Sequence, residues 1–267
     1  MIRISEHQLH HLMARLSQRA ITVLRFLAQQ RFATTSHLAR LLRPHHASPA
    51  SALRQTSRLT NHLVTLHLIR ALTRRIGGMR AGSGAAIWHL TEPGHRLITR
   101  HDADTGTPTR RRWHEPSLGF LTHTLAITET RITIEEAARH GPITIHHIEP
   151  EPTCWRSHLD PYGQPEWVKP DLSLITETDG YQDHWWCEID LATENPARIT
   201  TKARAYHRHY QTGTEQATRG IFPRVLWITP HPARKQQLHR ILTSDTTLPT
   251  GMHSAIALEE IGEVLTN

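Results

Sequence analysis

The chain has 267 residues, a formal net charge of +7 at pH 7 and a sequence pI of about 10.1. Apolar residues make up 37% and charged residues 21%, which is typical of a folded globular protein and excludes a disordered one. No apolar run is long enough to cross a bilayer and the N-terminus lacks the apolar core of a secretory signal, so we expect a soluble, cytoplasmic protein without a membrane partner.

The basic charge and the small number of cysteines restrict the partners and the compartment further. Positive charge favours an anionic partner, and nucleic acid is the first candidate because phosphate attracts a basic domain regardless of sequence. A basic protein without such a partner is the alternative. Cys154 and Cys187 form no CxxC pair, which favours a reducing compartment and argues against a cysteine zinc site. The 23 histidines contain no HExxH motif, so we expect no histidine metal site.

Three helices are predicted in the N-terminal third of the chain. Apolar residues recur at helical spacing from Leu16 to Gln30, and a short break leads to a second helix, SHLARLL. Thr35 could cap this second helix through its hydroxyl. A third helix is predicted from about Ser51 to Leu68, with a core stripe at Leu59, Leu63 and Leu66.

The other face of the third helix and the segment after it predict a DNA-binding winged helix. That face can contact phosphates and base edges in a major groove through Arg54, Ser57, Arg58, Asn61 and Thr65. Two extended pieces, IRALTRRI and AAIWHL, flank a Gly-rich turn, and a short helix, TEPGHRLI, follows. The turn and its flanks would form the wing, with basic residues Arg74, Arg75 and Arg80. A winged helix used for protein contacts is the alternative.

A polar segment without periodicity separates the two halves of the sequence. The stretch RHDADTGTPTRRRWHEP contains Gly and Pro and predicts a linker. We therefore expect a DNA-binding domain over 1–100, a linker over 101–115 and a second domain over 116–267. The run Arg110–Arg112 could touch backbone phosphate or lie in a solvated linker.

The second half predicts a mixed α and β domain. Its order is a helix over about Ser117–His140, the strand ITIHHIE, an insertion, the strands DLSLITE and HWWCEIDL, a helix after Asn195–Pro196, and the strand RVLWIT. A helix around ARKQQLHRIL comes last. On the first helix Glu129 lies on the apolar stripe, where a carboxylate is costly unless it is paired or binds a metal. Metal binding and an ion pair with an arginine are both open for Glu129.

Acids and a lysine in this half predict a metal-dependent phosphodiesterase site. Asp171 begins one strand, and Glu188 and Asp190 lie on its hairpin partner, two residues apart and so on one face of the sheet. Lys202 on the next helix and Glu129 on the first could reach the same sheet end. Carboxylates that bind Mg²⁺ or Mn²⁺ activate water, and a lysine ammonium neutralises negative charge in the transition state.

These residues resemble two related groups of proteins. Pro170–Asp171, Glu188–Ile189–Asp190 and a helix lysine, in the order αβββαβ, are similar to a variant of the PD-(D/E)XK nuclease superfamily. A winged helix followed by KPDLSLI, CEIDLATE and KARAYHRHY resembles, over residues 15 to 230, the replication-relaxation family of plasmids and integrative elements. The resemblance implies a fold of class α+β or α/β and a role in plasmid replication, DNA relaxation and mobilisation.

The resemblance also implies roles for individual residues. Asp171 and Glu188 would be metal ligands, and Asp190, which stands where the superfamily has its lysine, would be a third ligand or a partner of Lys202. Lys202 would stabilise the developing charge of the reaction, the alternative being a surface cation paired to Glu194. Tyr206 is expected in the core. A tyrosine nucleophile at Tyr206 or Tyr210 lacks the three-histidine metal motif that would support it.

Three functions compete on the sequence. The first is a Mg²⁺-dependent nickase that acts on double-stranded DNA at a plasmid origin or transfer region, with relaxosome or replication proteins as further partners. The second is a non-catalytic DNA-binding accessory protein of replication or of the relaxosome. The third is a transcriptional regulator, which leaves the clustered acids unexplained. A homodimer is compatible with all three.

Overall fold

The computed structural model of the chain describes residues 5–73, 86–101 and 115–266. The chain divides into two compact units, Met1–Ile132 and Thr133–Asn267. Both helices and strands contribute, and the larger sheet is mixed, so the predicted fold class is confirmed. Most of the predicted linker lies outside the described residues, and the division between the units falls inside the long helix that follows it.

Five helices lie entirely within the first unit, among its described residues, and the long helix after the linker begins in it. They are α1 (Glu6–Arg15), α2 (Gln18–Gln30), α3 (Thr35–Leu41), α4 (Pro49–Thr65) and α5 (Glu92–His101), with a 3-10 turn at Arg43–His45. Helix α1 was not predicted. The predicted cap of α3 is wrong by one residue: Thr34 keeps an extended backbone and accepts a hydrogen bond from the N–H of His37 (3.1 Å). Thr35 instead accepts from the indole N–H of Trp88 (2.9 Å).

A small antiparallel sheet completes the described part of the first unit. It has the order β1-β3-β2, formed by β1 (Ala33–Thr34), β2 (Ile69–Ala71) and β3 (Ile87–Leu90). Strands β2 and β3 are the two extended pieces that the sequence predicted on either side of the wing. The predicted wing residues Arg74, Arg75 and Arg80 lie outside the described residues. Buried side chains of the helices and of this sheet form one apolar core, which includes Leu24, Leu27, Leu38 and Leu63.

The second unit contains the predicted helix and strand order with additions. The unit begins with the end of α6 (Leu118–His140). The elements after it, in chain order, are β4 (Thr144–Pro150), β5 (Arg156–Leu159), β6 (Pro165–Val168), β7 (Leu172–Thr178), β8 (Tyr181–Ile189), α7 (Pro196–Gln211), α8 (Thr214–Arg219), β9 (Arg224–Thr229), α9 (Pro232–Ser244), β10 (His253–Ala257) and α10 (Ile261–Val264). A 3-10 turn at Leu258–Glu260 precedes α10. The predicted insertion holds a separate hairpin, β5–β6, and strand β10 was not predicted.

Five strands form the sheet of this unit, in the order β10-β9-β8-β7-β4. Strands β7 and β8 are antiparallel, whereas β8, β9 and β10 are parallel. The predicted turn between β7 and β8 is confirmed: Asp179 and Gly180 both have positive φ, 52° and 82°, as a two-residue type I′ turn requires. This turn fixes the register that places Leu172 opposite Cys187.

Helices α7 and α9 cover one face of the sheet. Their apolar side chains pack with Trp186 and Trp227 in a common core, which also contains Ile199, Tyr206 and Leu238. Asn195 caps α7 by accepting a hydrogen bond from the N–H of Arg198 (2.9 Å), and Pro196 occupies the first turn, as predicted. The cap fixes where α7 starts, and therefore which of its residues face the strand ends.

Candidate active site

Two buried carboxylates lie side by side at one end of strands β7 and β8. The N–H of Asp171 donates to the carbonyl of Cys187 (2.9 Å), and the N–H of Ile189 donates to Asp171 Oδ2 (2.7 Å). Glu188 lies between these two partners on β8. The exposed fraction is 5% for Asp171 and 1% for Glu188. The antiparallel pairing therefore brings together the first two of the acids selected from the sequence.

Helix α7 supplies a cation and a hydroxyl to Glu188. Lys202 Nζ lies 2.6 Å from Glu188 Oε2, and the Tyr206 hydroxyl donates to Glu188 Oε1 at 2.5 Å. Lys202 and Tyr206 are four residues apart, so one face of the helix presents both. Lys202 also lies 3.7 Å from Glu194 Oε1, the partner expected in the alternative interpretation. Both oxygens of Glu188 therefore have partners on α7.

The burial of this cluster shifts the acidity of its members. Burial raises the pKa of Glu188 to about 7, with Lys202 opposing the shift and the charge of Asp171 adding to it. For Lys202, burial lowers the pKa, but the negative charges of Glu188 and Asp171 outweigh it and hold the pKa above its usual value. Burial, followed by the charge of Glu188, raises the pKa of the Tyr206 hydroxyl. Near neutral pH the cluster therefore holds a protonated lysine and a neutral tyrosine beside Glu188.

Asp190 has a different partner from the one considered in the sequence. Its carboxylate accepts two hydrogen bonds from Arg234 of α9, to Oδ1 at 3.1 Å and to Oδ2 at 2.8 Å. Arg234 also donates to the carbonyl of Glu194 (2.7 Å). The partner of Asp190 is thus Arg234 rather than Lys202. This buried ion pair ties the end of β8, the loop after it and the first turn of α9 together.

Two side chains of the first unit bind the carboxylate of Glu129. Arg40 donates to both of its carboxylate oxygens, at 2.6 and 2.7 Å, and His37 Nε2 lies 3.0 Å from Oε2. Burial opposes ionisation of Glu129, but the hydrogen bonds from His37 and Arg40 lower its pKa to about 2. These contacts give Glu129 the ion pair with an arginine that the sequence left open.

The carboxylates of Asp171 and Glu188 are suitable ligands for a divalent cation at this strand end. Asp171 and Glu188 offer the oxygen ligands that Mg²⁺ and Mn²⁺ prefer, and Mg²⁺ commonly keeps several waters while one or two carboxylates hold it. The charge of Asp171 raises the pKa of Glu188, and a bound cation would relieve that repulsion. Across the described residues no group of three or more His, Cys, Asp or Glu side chains is arranged to hold a metal. Asp171 and Glu188 are the two carboxylates that would hold such a cation.

The predicted DNA-contacting face of the third helix lies on α4. Arg54, Arg58, Asn61 and Thr65 are exposed, and Ser57 is half-buried. The hydroxyls of Ser57 and Thr65 donate to carbonyls of the same helix, Leu53 and His62 respectively. Arg54 and Arg58 are thus the two cations among the selected residues that the structure places on this helix surface.

The chain is a two-unit α and β protein in which a helix lysine meets buried acids at a sheet end. A family model described as replication-relaxation matches residues 24–225, which is more than half of the chain. The protein therefore belongs to the replication-relaxation family, and membership points to a role in the processing of plasmid or mobile-element DNA. No curated protein and no solved structure matches the chain.

Within the part of the chain that the structure describes, none of the helices combines the length and the apolar character that a bilayer crossing requires.

Proposed function

We propose that the second unit is a metal-dependent phosphodiesterase that nicks plasmid or mobile-element DNA for replication, relaxation or mobilisation. The observation that carries this proposal is the 2.6 Å contact between Lys202 Nζ and the buried Glu188, next to Asp171. Asp190 stands in the position where the PD-(D/E)XK pattern has its lysine. The contact supports a site in which the lysine comes from α7 instead.

Each residue of the site has a distinct task in this proposal. Asp171 and Glu188 would hold Mg²⁺ or Mn²⁺, which when bound lowers the pKa of water and polarises the phosphoryl oxygen. The Lys202 ammonium would stabilise the negative charge that develops on the phosphate during attack. Tyr206 fixes the orientation of Glu188 by hydrogen bonding to Oε1. Asp190 and Arg234 hold the loop after β8 in place through their buried pair.

The first unit would place double-stranded DNA of an origin or transfer region. Helices α2, α3 and α4 with the small antiparallel sheet support a winged helix, and α4 would present Arg54 and Arg58 to phosphates. Phosphate contacts of this kind give affinity and position without reading sequence. Asn61, exposed on the same helix, has a side chain able to contact an adenine edge.

Nicking of a supercoiled plasmid tests the proposal. The plasmid should carry DNA that neighbours the protein's own gene, so that a sequence-dependent activity is detected. We expect nicking with Mg²⁺ or Mn²⁺, none with a chelator, and loss in Asp171→Asn, Glu188→Gln and Lys202→Met. Glu260→Gln is the matched control, since that acid pairs with Lys235 (2.6 Å) just after β10, which is two strands from β8 in the sheet. Wild type that binds the plasmid and leaves it intact under these conditions refutes the nuclease.

A non-catalytic DNA-binding accessory protein is the second candidate. The observation that favours it is that both oxygens of Glu188 are hydrogen bonded by Lys202 and Tyr206, while Asp190 is held by Arg234. In that case the acids and the lysine act as a buried stabilising network. Retardation of the origin or transfer DNA on a gel, unchanged by a chelator and by Glu188→Gln, is the result this candidate predicts.

A further inference from the structure

The β5–β6 hairpin has two faces of opposite character. Its register pairs Ser157 with Trp167 and Leu159 with Pro165 on one face. On the other face Arg156, His158, Glu166 and Val168 are half-buried or buried, whereas all four residues of the first face are exposed. We call the exposed set, together with Tyr162 in the turn, the outer face of the hairpin.

The inner face anchors the hairpin firmly to α7. Arg208 donates to Glu166 (2.9 Å from Nε to Oε1), and His209 Nδ1 lies 3.0 Å from His158 Nδ1. Val168 packs in the core with Trp186 and Tyr206. An isolated two-stranded hairpin is marginally stable in water, so these contacts hold it in a fixed orientation.

The outer face carries large side chains that the fold does not cover. The exposed fraction is 49% for Trp167, 89% for Tyr162 and 68% for Leu159. Its strand positions hold Ser157, Leu159, Pro165 and Trp167, none of which is acidic. Lys169, directly after β6, is exposed and lies over the ring of Trp155 (4.8 Å). The surface thus combines exposed aromatic rings with a neighbouring cation.

The hairpin leads directly into the candidate active site. Strand β6 ends at Val168, three residues before Asp171. Trp167 and Asp171 are four residues apart, a separation that an extended chain spans in at most about 14 Å. That is the length of about four stacked nucleotides at ~3.4 Å each. A strand with one phosphate at Asp171 therefore has neighbouring bases within reach of Trp167.

We infer that the outer face of the β5–β6 hairpin holds an unpaired DNA strand beside the carboxylate site, with Trp167 and Tyr162 stacking on its bases. The inference rests on the proposed nuclease function, which requires a nucleic-acid strand at Asp171. Aromatic rings bind single strands with little sequence preference because every base has a face to stack, and a nearby lysine attracts the backbone.

Binding of a fluorescein-labelled oligothymidylate, followed by anisotropy with a chelator present, tests this surface in the full chain. We expect Trp167→Ala and Tyr162→Ala each to weaken binding about tenfold. Trp167→Phe should restore most of the affinity because a ring is retained. Tyr181→Ala is the matched control: Tyr181 is 78% exposed but begins β8, at the end of the strand opposite Glu188.

Ultraviolet crosslinking gives a second readout that does not depend on how strongly the first unit binds DNA. A bromodeoxyuridine oligonucleotide should crosslink to the peptide that contains Tyr162 and Trp167. Crosslinks confined to other peptides, or unchanged affinity in both alanine variants, overturn the inference. A shift from dimer to monomer in Trp167→Ala with unchanged oligonucleotide affinity would make the outer face an interface between copies and would also overturn it.

Failure of the nuclease proposal gives a different pattern. If oligonucleotide binding depends on Trp167 but no metal-dependent nicking occurs, the proposed activity is refuted and the strand-binding surface is supported. If nicking occurs with equal rates in wild type, Trp167→Ala and Tyr162→Ala and the anisotropy is unchanged, only the hairpin inference fails.

Discussion

Removal of the Lys202 charge should destabilise the second unit in a way that depends on pH. Lys202→Met keeps most of the side-chain volume and removes the cation 2.6 Å from Glu188. Breaking a buried ion pair costs about 3–5 kcal/mol because a charge is left without a partner. Since the Lys202 side chain is 31% exposed, we expect the lower end, about 3 kcal/mol.

The sign of the pH dependence follows from the raised pKa of Glu188. The pKa of Glu188 is about 7 in the folded protein and 4.5 ordinarily, so the folded state holds this proton more tightly than the unfolded state does. The stability that this difference contributes is fully present below pH 4.5 and is lost as pH rises through 7. Without the Lys202 cation the folded pKa rises further, so stability continues to fall at higher pH than in wild type. The free energy of unfolding of Lys202→Met should therefore be below that of wild type by less than about 1 kcal/mol near pH 5. Near pH 8.5 the difference in this free energy should approach about 3 kcal/mol.

Urea unfolding followed by tryptophan fluorescence measures this difference. Trp185, Trp186 and Trp227 are buried in the second unit and report its transition. Lys235→Met is the matched control, because Lys235 contacts Glu260 at the same 2.6 Å in a more exposed pair. For such a pair we expect a loss of only about 0–1 kcal/mol in the free energy of unfolding, and this loss should not increase above neutral pH. A Lys202→Met effect that is constant from pH 5 to 8.5, or equal to that of Lys235→Met, would refute the reasoning.

Three further changes test the site and the DNA-binding face. Tyr206→Phe removes one hydrogen bond to the buried Glu188, so the free energy of unfolding of the second unit in urea should fall by about 1.5–3 kcal/mol. The variant should also bind Mn²⁺ more weakly, and unchanged Mn²⁺ affinity would show that Tyr206 does not position Glu188. Arg234→Met removes the cation that pairs with the buried Asp190 and should lower the free energy of unfolding by about 3–5 kcal/mol. Asp190→Asn in the same chain should restore part of that loss, and additive losses would contradict the pairing. Arg58→Ala should weaken DNA binding equally across sequences and reduce the slope of log K against log salt by about 1, whereas an unchanged slope excludes a phosphate contact there.

Local patterns in the sequence predicted the frame of the candidate site. Asp179–Gly180 is a strong turn signal between two apolar segments, and a two-residue turn sets the pairing of β7 with β8. Asn195–Pro196 is a cap followed by a first-turn proline, which placed Lys202 on the helix after β8. Each of these signals is contained in a few neighbouring residues, so it can be recognised in the sequence without the tertiary structure.

The partners of the acids could not be predicted because they come from distant parts of the chain. Arg234 is 44 residues from Asp190, and Arg40 is 89 residues from Glu129. Several other arginines could have served equally well on charge alone, since the chain has 31 basic residues. Tyr206 was expected in the core and is buried there, but its hydroxyl contact with Glu188 needed the packing of α7 against the sheet.

The most direct measurement is a titration of Mn²⁺, detected as loss of the free-ion signal in electron paramagnetic resonance. If Asp171 and Glu188 hold a divalent cation together, wild type should bind Mn²⁺ at a site that Mg²⁺ competes for. Asp171→Asn and Glu188→Gln should each lose that site, while Glu260→Gln should keep it. Binding of Mn²⁺ that is the same in all four proteins, or absent in wild type, would contradict a metal site at these strand ends.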